Sequence, residues 1–442
     1  MKKTILLSAI MVLGIQANAQ QSWTLRQCID YATAHNVNIL QAEISVKQSE
    51  VEANTAKWAR LPNLNASGSQ SFNWGRTQTA IKDEDTGDYT TKYVDTSSRG
   101  TNMSLNANVP LFTGFELPSQ YNLSKLNLKA SMADLQKAKE DLAINITSAY
   151  LQALFNKELH QVAVGQASLS QEQYNRIEAL ERLGKASMAE LAEAKARVAQ
   201  DELNVVQSLN NYRLSILDLT QLIELETPEG FEVANPDQAF QLNSLTPPDE
   251  VFATAMLSKP AIQAAQARLE GSEQSIKIAQ SALYPSINLN GSLGTSYYST
   301  LNRTFSQQLG DNFSRYVGIS LNIPIFNRFA TRNRVRSARL QRDNYALQLE
   351  NTKKTLYKEI QQAWYNATAA ESKYASSEAA TAASKASFEL TSKKYENGTA
   401  TAVAYNEAKQ NLLKAQSDEL QAKYEYIFRS KILDFYKGIA IQ

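Results

Sequence analysis

The chain has 442 residues, a formal net charge of +1 and one cysteine. That balance argues against a nucleic-acid partner, and a lone cysteine excludes an internal disulfide. Only 16 glycines and 10 prolines serve the whole length, so turns are few and long helices are implied.

Residues 1–19 read as a signal peptide. Lys2 and Lys3 give a positive start, residues 5–15 an apolar run, and Ala17-Asn18-Ala19 an A-x-A cleavage site. The run is too short to span a membrane. No cysteine follows the site, so no lipoprotein anchor is indicated. The mature chain would begin at Gln20 with a charge of −1. No later stretch is apolar for long enough to be a candidate transmembrane helix.

Next comes a helix over about 23–60, with Cys28 inside its pattern as a small buried or half-buried residue. Two strands follow. Leu64, Ala66, Gly68, Phe72 and Trp74 alternate with Asn65, Ser67, Ser69 and Asn73. Met103, Leu105, Ala107 and Val109 alternate with Ser104, Asn106 and Asn108. Period two with one apolar face is a half-buried strand. Residues 75–100 between them read as a long polar loop. The second strand runs into NVPLFTGF at 108–115, whose Pro110 should stop strand pairing at Val109 because it cannot donate to a ladder. Helices over about 115–183 and 187–224 follow. In the first of these, Leu128, Met132, Leu135, Leu142, Ile146, Ala149 and Ala153 keep helical spacing. A polar connector at 225–247 comes after them.

The second half repeats this order. NIPIFNRF at 322–329 matches NVPLFTGF at 108–115, and in the same register Gly184, Ala186 and Glu193-Ala194-Lys195 face Gly398, Ala400 and Glu407-Ala408-Lys409. Pro62-Asn63-Leu64-Asn65 likewise resembles Pro285-Ser286-Ile287-Asn288, in a shifted register. Helices are read at about 248–283, 329–397 and 401–437. Strands place Ile287, Leu289, Gly291 and Leu293 on one apolar face and Val317, Ile319, Leu321 and Ile323 on another, with a polar loop at 299–312. Self-similarity of this kind is an internal duplication. The chain therefore divides into a signal peptide (1–19), a first repeat (20–224), a connector (225–247) and a second repeat (248–442). Each long helix would run roughly 100 Å. The flanking helices are a little over half as long, so two stacked end to end would match one long helix.

Two readings of the strands compete. A soluble sandwich would bury the apolar face in a core. A membrane barrel would turn it to lipid, with strands of about 10 residues and aromatic girdles. Phe72, Trp74, Phe112, Phe115, Tyr297, Tyr298, Phe326 and Phe329 fall at strand ends, and the chain is exported, which favours the barrel. Four strands cannot close one, and open edges are not tolerated in lipid. Two copies would give eight strands and three would give twelve; the pattern does not choose.

The ordered set of these features resembles the TolC family of outer-membrane efflux ducts across the whole mature chain. Its marks are the opening helix Trp23-Thr24-Leu25-Arg26-Gln27-Cys28, the strand entries at Pro62 and Pro285, the two Pro-Φ-Phe exits, and the helix-turn-helix tips at Gly184 and Gly398. The resemblance implies an α+β membrane protein: a homotrimer whose twelve-stranded β-barrel sits in outer-membrane lipid, continuous with a long periplasmic α-helical barrel. Pro110, Phe112 and Phe115, with Pro324, Phe326 and Phe329, would form the barrel-to-tunnel junction. Gly184, Lys185, Gly398 and Thr399 would be the tips that meet a periplasmic adaptor. Glu190 and Tyr395 fall where the family ties the entrance shut, and Glu407 at an acidic pore position. Ala404 and Ala400 stand where a second acid and an arginine tie are expected. Ser187-x-x-Glu190 also reads as a capping box, Glu407 as a solvated residue, and Tyr395 as a packing aromatic.

His35 and His160, the only histidines, have no ligand spacing with Cys28. No catalytic constellation, metal site or cofactor motif emerges, so the chain reads as a non-enzyme. The leading expectation is a passive exit duct for small molecules, driven by an inner-membrane RND or ABC pump through the adaptor. Alternatives are the same duct serving type I protein secretion and, more remotely, an exported coiled-coil scaffold without a channel.

Overall fold

The computed structural model describes residues 21–82, 87–234 and 245–439. The signal-peptide reading at 1–19, the start at Gln20 and much of the connector lie outside these residues. In chain order the elements are β1 (Gln21–Trp23), α1 (Leu25–His35), α2 (Val37–Trp58), β2 (Asn63–Lys82), β3 (Tyr89–Thr113), α3 (Glu116–Arg182) and α4 (Met188–Leu222). They continue as β4 (Phe231–Val233), α5 (Pro248–Ser258), α6 (Pro260–Ser281), β5 (Ser286–Tyr298), α7 (Phe305–Asp311), β6 (Ser314–Asn322), α8 (Ala330–Glu396) and α9 (Ala402–Tyr436).

The duplication is visible in these boundaries. α5 and α6 begin and end at one constant offset from α1 and α2, and α8 and α9 do the same with respect to α3 and α4. Both long helices have 67 residues and both of their followers 35. The helix expected over 23–60 is broken at Asn36, and its counterpart at Lys259, the matching position. Asn36 is extended at ψ 128° and its side chain accepts from Asn38 N, so it caps α2. Lys259 is extended because Pro260 clashes with a helical predecessor. Trp23 belongs to β1, not to a helix.

The chain forms two compact units that cut across both repeats. Among the described residues, one takes those up to 46, 131–265 and from 349 onward, and the other takes those within 47–130 and 266–348. The first unit is helical around a core that includes Cys28, Ile39, Ile146, Leu154, Leu219 and Ile427. β1 and β4 pair in parallel beside it. The Tyr150 hydroxyl lies 3.0 Å from Trp23 O and 2.9 Å from Ala234 O, tying this ribbon to α3. Burial pushes the Cys28 thiol up to about 12, so it packs as an inert small residue. His35 stacks on Tyr31 at 4.1 Å, and His160 meets Ser208 at 3.0 Å.

The second unit holds an antiparallel sheet in the order β2-β3-β5-β6. Its polar face is laced by side chains. Ser67 meets Ser104 at 2.8 Å, Ser292 donates to Asn106 at 2.8 Å, Asn108 donates to Asn290 at 3.1 Å, and Asn290 donates to Ser320 at 3.1 Å. The other face is mostly bare: Leu64, Val317 and Ile319 are 66%, 79% and 70% exposed, while α7 (Phe305–Asp311) covers its end at Thr295 and Tyr297. No helix among the described residues is long and apolar enough to cross a membrane.

The structure corrects three readings of the strands. Residues 75–100 are mostly strand, since β2 runs to Lys82 and β3 starts at Tyr89. This extension is polar on both faces, so no alternation marks it; Thr, Tyr and Val supply β-propensity instead. Arg76–Asp95 at 3.0 Å and Thr77–Thr96 at 3.1 Å pair across it. Phe72 and Trp74 therefore lie mid-strand, level with Arg99 and Ser97, where the register also brings Tyr298 to Gly100. Residues 299–312 contain α7, which a Thr304–Gln307 capping box starts.

The third correction concerns the proline. Pairing of β3 does not stop at Val109. It passes through Pro110, opposite Asn288, and after a bulge resumes at Phe112 and Thr113 opposite Ile287 and Ser286. The bulge absorbs the missing N–H. β6 does end before its proline, at Asn322, because its partner β5 begins opposite it at Ser286.

Gly114 has φ +63° and Phe115 φ +69°; their counterparts Arg328 and Phe329 have φ +56° and +61°. The same left-handed pair makes both turns into the long helices. At Gly114 a Cβ would collide with the backbone oxygen of Ser281. Gly114→Ala should therefore cost at least about 2 kcal/mol, from left-handed strain plus the clash. Thermal unfolding of the detergent-solubilised protein checks this; an unchanged midpoint would refute it.

Candidate functional site

Two clusters gather the residues singled out by the sequence, one in each compact unit.

The first cluster is the pair of tips. α3 ends in a Schellman motif: Lys185 N donates to Leu180 O at 2.8 Å and Gly184 N to Glu181 O at 2.7 Å, with Gly184 at φ +68°. α8 ends the same way, with Thr399 N to Lys394 O at 2.8 Å, Gly398 N to Tyr395 O at 3.0 Å, and Gly398 at φ +71°. Ser187 then starts α4 and Thr401 starts α9, each side chain accepting from a backbone N–H one turn on. Two short turns thus reverse the chain with their helix ends satisfied.

A cavity of about 260 Å³ opens beside these turns, and Lys185, Gly398, Glu190 and Tyr395 all line it. Glu190 closes the Ser187 capping box: Ser187 N donates to its carboxylate at 2.8 Å, and Glu190 N donates to Ser187 Oγ at 3.2 Å. The bond from the Ser187 backbone holds its carboxyl below the ordinary carboxylate value. Tyr395 stacks on Tyr405 at 5.0 Å and bonds to Gln173. Burial raises the pKa of its hydroxyl; the Gln173 bond and Arg176 oppose this, and the charges of Glu190 and Glu193 add to it. The structure thus brings Glu190 and Tyr395 to one cavity while each bonds elsewhere. Ala400 lines the same cavity, and Glu407 is exposed outside it.

Sequence reasoning missed the ties behind this cavity. Arg176 of α3 donates to Glu396 O, at the C-terminus of α8, at 3.0 Å. That is where a helix dipole favours a cation. Deeper, Lys409 of α9 reaches Asp201 of α4 at 3.3 Å and Ser170 of α3, while Ser170 donates to the same Asp201 oxygen. The side chains of Lys409 and Asp201 are only 4% and 2% exposed. Desolvation lowers the lysine's pKa and Asp201 opposes the shift. The duplicated Glu-Ala-Lys hinted at Lys409, yet its counterpart Lys195 is exposed.

The second cluster is the strand-to-helix junction. Phe112 meets Phe115 edge-on at 5.3 Å and 88°, and Phe326 meets Phe329 at 5.5 Å and 88°. Phe115 also stands edge-on to Tyr284 at 6.1 Å. The register sets the helix-side ends of all four strands in a row here. Exposed Trp58, Leu61, Phe115, Tyr284, Phe326 and Phe329 follow that row. Pro110 borders the bulge, and Pro324 falls in the non-strand link that its Phe pair closes.

Removing one partner of a buried ion pair leaves the other uncompensated. Asp201→Ala should cost about 3–5 kcal/mol, whereas the double variant Asp201→Leu/Lys409→Met should recover most of that loss. Thermal unfolding of both variants measures it; a double variant as unstable as the single would contradict the pairing.

Comparison with known proteins agrees with this architecture. The profile of the outer membrane efflux protein family matches residues 28–223 and 252–436, one block in each repeat. The outer membrane efflux protein BepC of Brucella suis is 20% identical over 436 residues, covering 98% of this chain and 89% of BepC. The outer membrane protein TolC of Vibrio cholerae is 21% identical over 439 residues, covering 97% and 93%. The crystal structure of the Campylobacter jejuni CmeC outer membrane channel superposes with a TM-score of 0.76 at 22% identity, covering 94% of this chain and 85% of that one. With most of its length matched in two blocks that mirror its duplication, the chain belongs to the outer membrane efflux protein family.

Proposed function

We propose that three copies of this chain close a twelve-stranded barrel in the outer membrane, continued by a periplasmic helical barrel, and serve as the exit duct of a tripartite exporter. The observation that carries this is the four-stranded sheet. Most of its apolar face is bare, and β2 and β6 are its edges. Hydrocarbon tolerates neither an open edge nor an unclosed sheet, and barrels begin at about eight strands. Residues 1–19 would direct export. The coiled-coil scaffold has no use for this sheet and is set aside by the family.

The chain supplies a passage and no energy source, so an inner-membrane RND or ABC pump would drive transport. A periplasmic adaptor would grip the tips at Gly184, Lys185, Gly398 and Thr399. Glu190 and Tyr395, on one cavity at those tips, would restrain the entrance, and Glu407, outside that cavity, would line the passage. Small molecules are the proposed cargo. Deleting the gene should increase sensitivity to dyes and detergents. Unchanged sensitivity together with loss of a secreted protein from the medium would instead assign the duct to type I protein secretion.

Planar-bilayer recordings test the entrance. Tyr395→Phe, which removes the hydroxyl facing Gln173, should raise single-channel conductance above wild type, and Glu190→Ala should do so through loss of the α4 cap, worth about 1 kcal/mol. Wild-type conductance in both would make these residues purely structural. Glu407→Gln should reduce cation selectivity, measured as a shift in reversal potential; no shift would remove Glu407 from the passage.

A further inference from the structure

The start of α8 carries something that its counterpart lacks. Arg328, Arg332, Arg334, Arg336, Arg339 and Arg342 crowd into positions 328–342. The matching stretch of the first repeat, positions 114–128, has Glu116 and Lys125 as its only charged side chains. Both stretches make the same left-handed turn and start helices of the same length. The arginines are therefore not needed to build the turn or the helix. Helix physics disfavours the first of them inside the helix, Arg332, since a cation in the first turn opposes the macrodipole. Arg328 also holds a left-handed backbone where the first repeat has glycine.

All six are exposed. Among the described residues only Arg342 is ion-paired, to Asp343 at 3.4 Å. The helix packs through buried Thr331 and Val335, and Arg334 lines a cavity with Ala279 of α6 and Glu116. Arg332, Arg336 and Arg339, at i, i+4 and i+7, share another face. This stripe begins within a turn of Phe329, in the exposed row of aromatic and apolar side chains that follows the helix-side strand ends. Rings in such a row mark the headgroup level of a membrane. The first turns of α8 are then within about one Debye length, roughly 8 Å, of the lipid phosphates. Guanidinium groups bind phosphate through two parallel N–H bonds.

We propose that the arginine stripe at the start of α8 binds the anionic headgroup phosphates of phospholipids in the periplasmic leaflet of the outer membrane. This rests on the barrel reading above, because that reading sets the aromatic row at the membrane surface. The stripe anchors the second repeat to the leaflet through a stretch whose counterpart in the first repeat, 114–128, has no net charge. Bound lipid also neutralises guanidinium groups that otherwise repel one another.

The test uses the full-length protein in phosphatidylcholine vesicles carrying a trace of spin-labelled phosphatidylglycerol or spin-labelled phosphatidylcholine. Electron spin resonance measures how much of each label the protein holds immobile. Wild type should prefer phosphatidylglycerol by about fivefold at low salt, the effect of roughly one surface-held basic residue. The preference should fall toward unity in about 0.5 M salt. R332Q/R336Q/R339Q should lose it with unchanged single-channel conductance, and R332K/R336K/R339K should keep most of it. A wild type with no preference, or a glutamine variant that retains it, overturns the proposal. Retained preference with a reversal potential shifted toward cations would place the stripe in the passage, where it meets anionic cargo. Should the glutamine variant fail to insert, the wild-type salt titration and R336Q alone decide, and insensitivity in both refutes lipid binding. Wild-type protein that holds lipid but forms no channels counts against the duct reading and leaves this one standing.

Discussion

Among the described residues, most of the apolar face of the four-stranded sheet has nothing to lie against, α7 meeting it just at the Thr295–Tyr297 end. This shortage governs the rest of the molecule. In water such a face is a liability, and a sheet with two edges would pair with any strand it met. In lipid the face is at home but the edges are not. The polar face is already settled, because Asn and Ser side chains bond one another across the strands. One side suited to hydrocarbon and one side wetted and hydrogen-bonded is the wall of a pore. On the reading proposed above, the rest of the chain serves to deliver such walls to the membrane.

Duplication makes that economical. Helix boundaries recur to the residue from one repeat to the other, so one supersecondary plan is executed twice. Where the copies diverge, the physics shows what the plan requires and what it leaves free. The left-handed pair before each long helix is required, since it survives even when glycine is replaced by arginine. The route of the chain past the proline is free. It is a paired bulge in β3, which has neighbours on both sides, and an unpaired link after β6, which has a neighbour on one. Lys195 and Lys409 occupy matching places, yet one is solvated and the other is sealed among three helices.

Long-range order was legible in the sequence because it is written in periodicity. The apolar positions from Leu128 to Ala153 at helical spacing, the matching glycines 184 and 398, and four alternating stretches specify helices, tips and sheet without reference to packing. The misses share a cause. β1 and β4 have three residues each, too few for any period. The break at Asn36 depends on one side chain capping the next helix. The extension of β2 and β3 is polar on both faces and so has no apolar alternation to detect. At the tips, the turns were legible from glycine followed by a capping residue. The partners of Tyr395 and Lys409 were not, since Gln173, Asp201 and Ser170 become neighbours only when separate helices pack.

The hairpin that rises past Phe72 and Trp74 is held by its own cross-strand pairs, with charged and hydroxyl side chains on both surfaces. Its interior makes no demand on the wall beneath. Side-chain facing in a strand repeats every second position, so a single insertion inverts everything beyond it, while a double insertion leaves the facing as it was. Because this segment is polar on both faces, either facing is tolerated, and its length can drift by single residues as long as the two strands stay paired. The sequence of this segment can then be rewritten without disturbing the sheet below it.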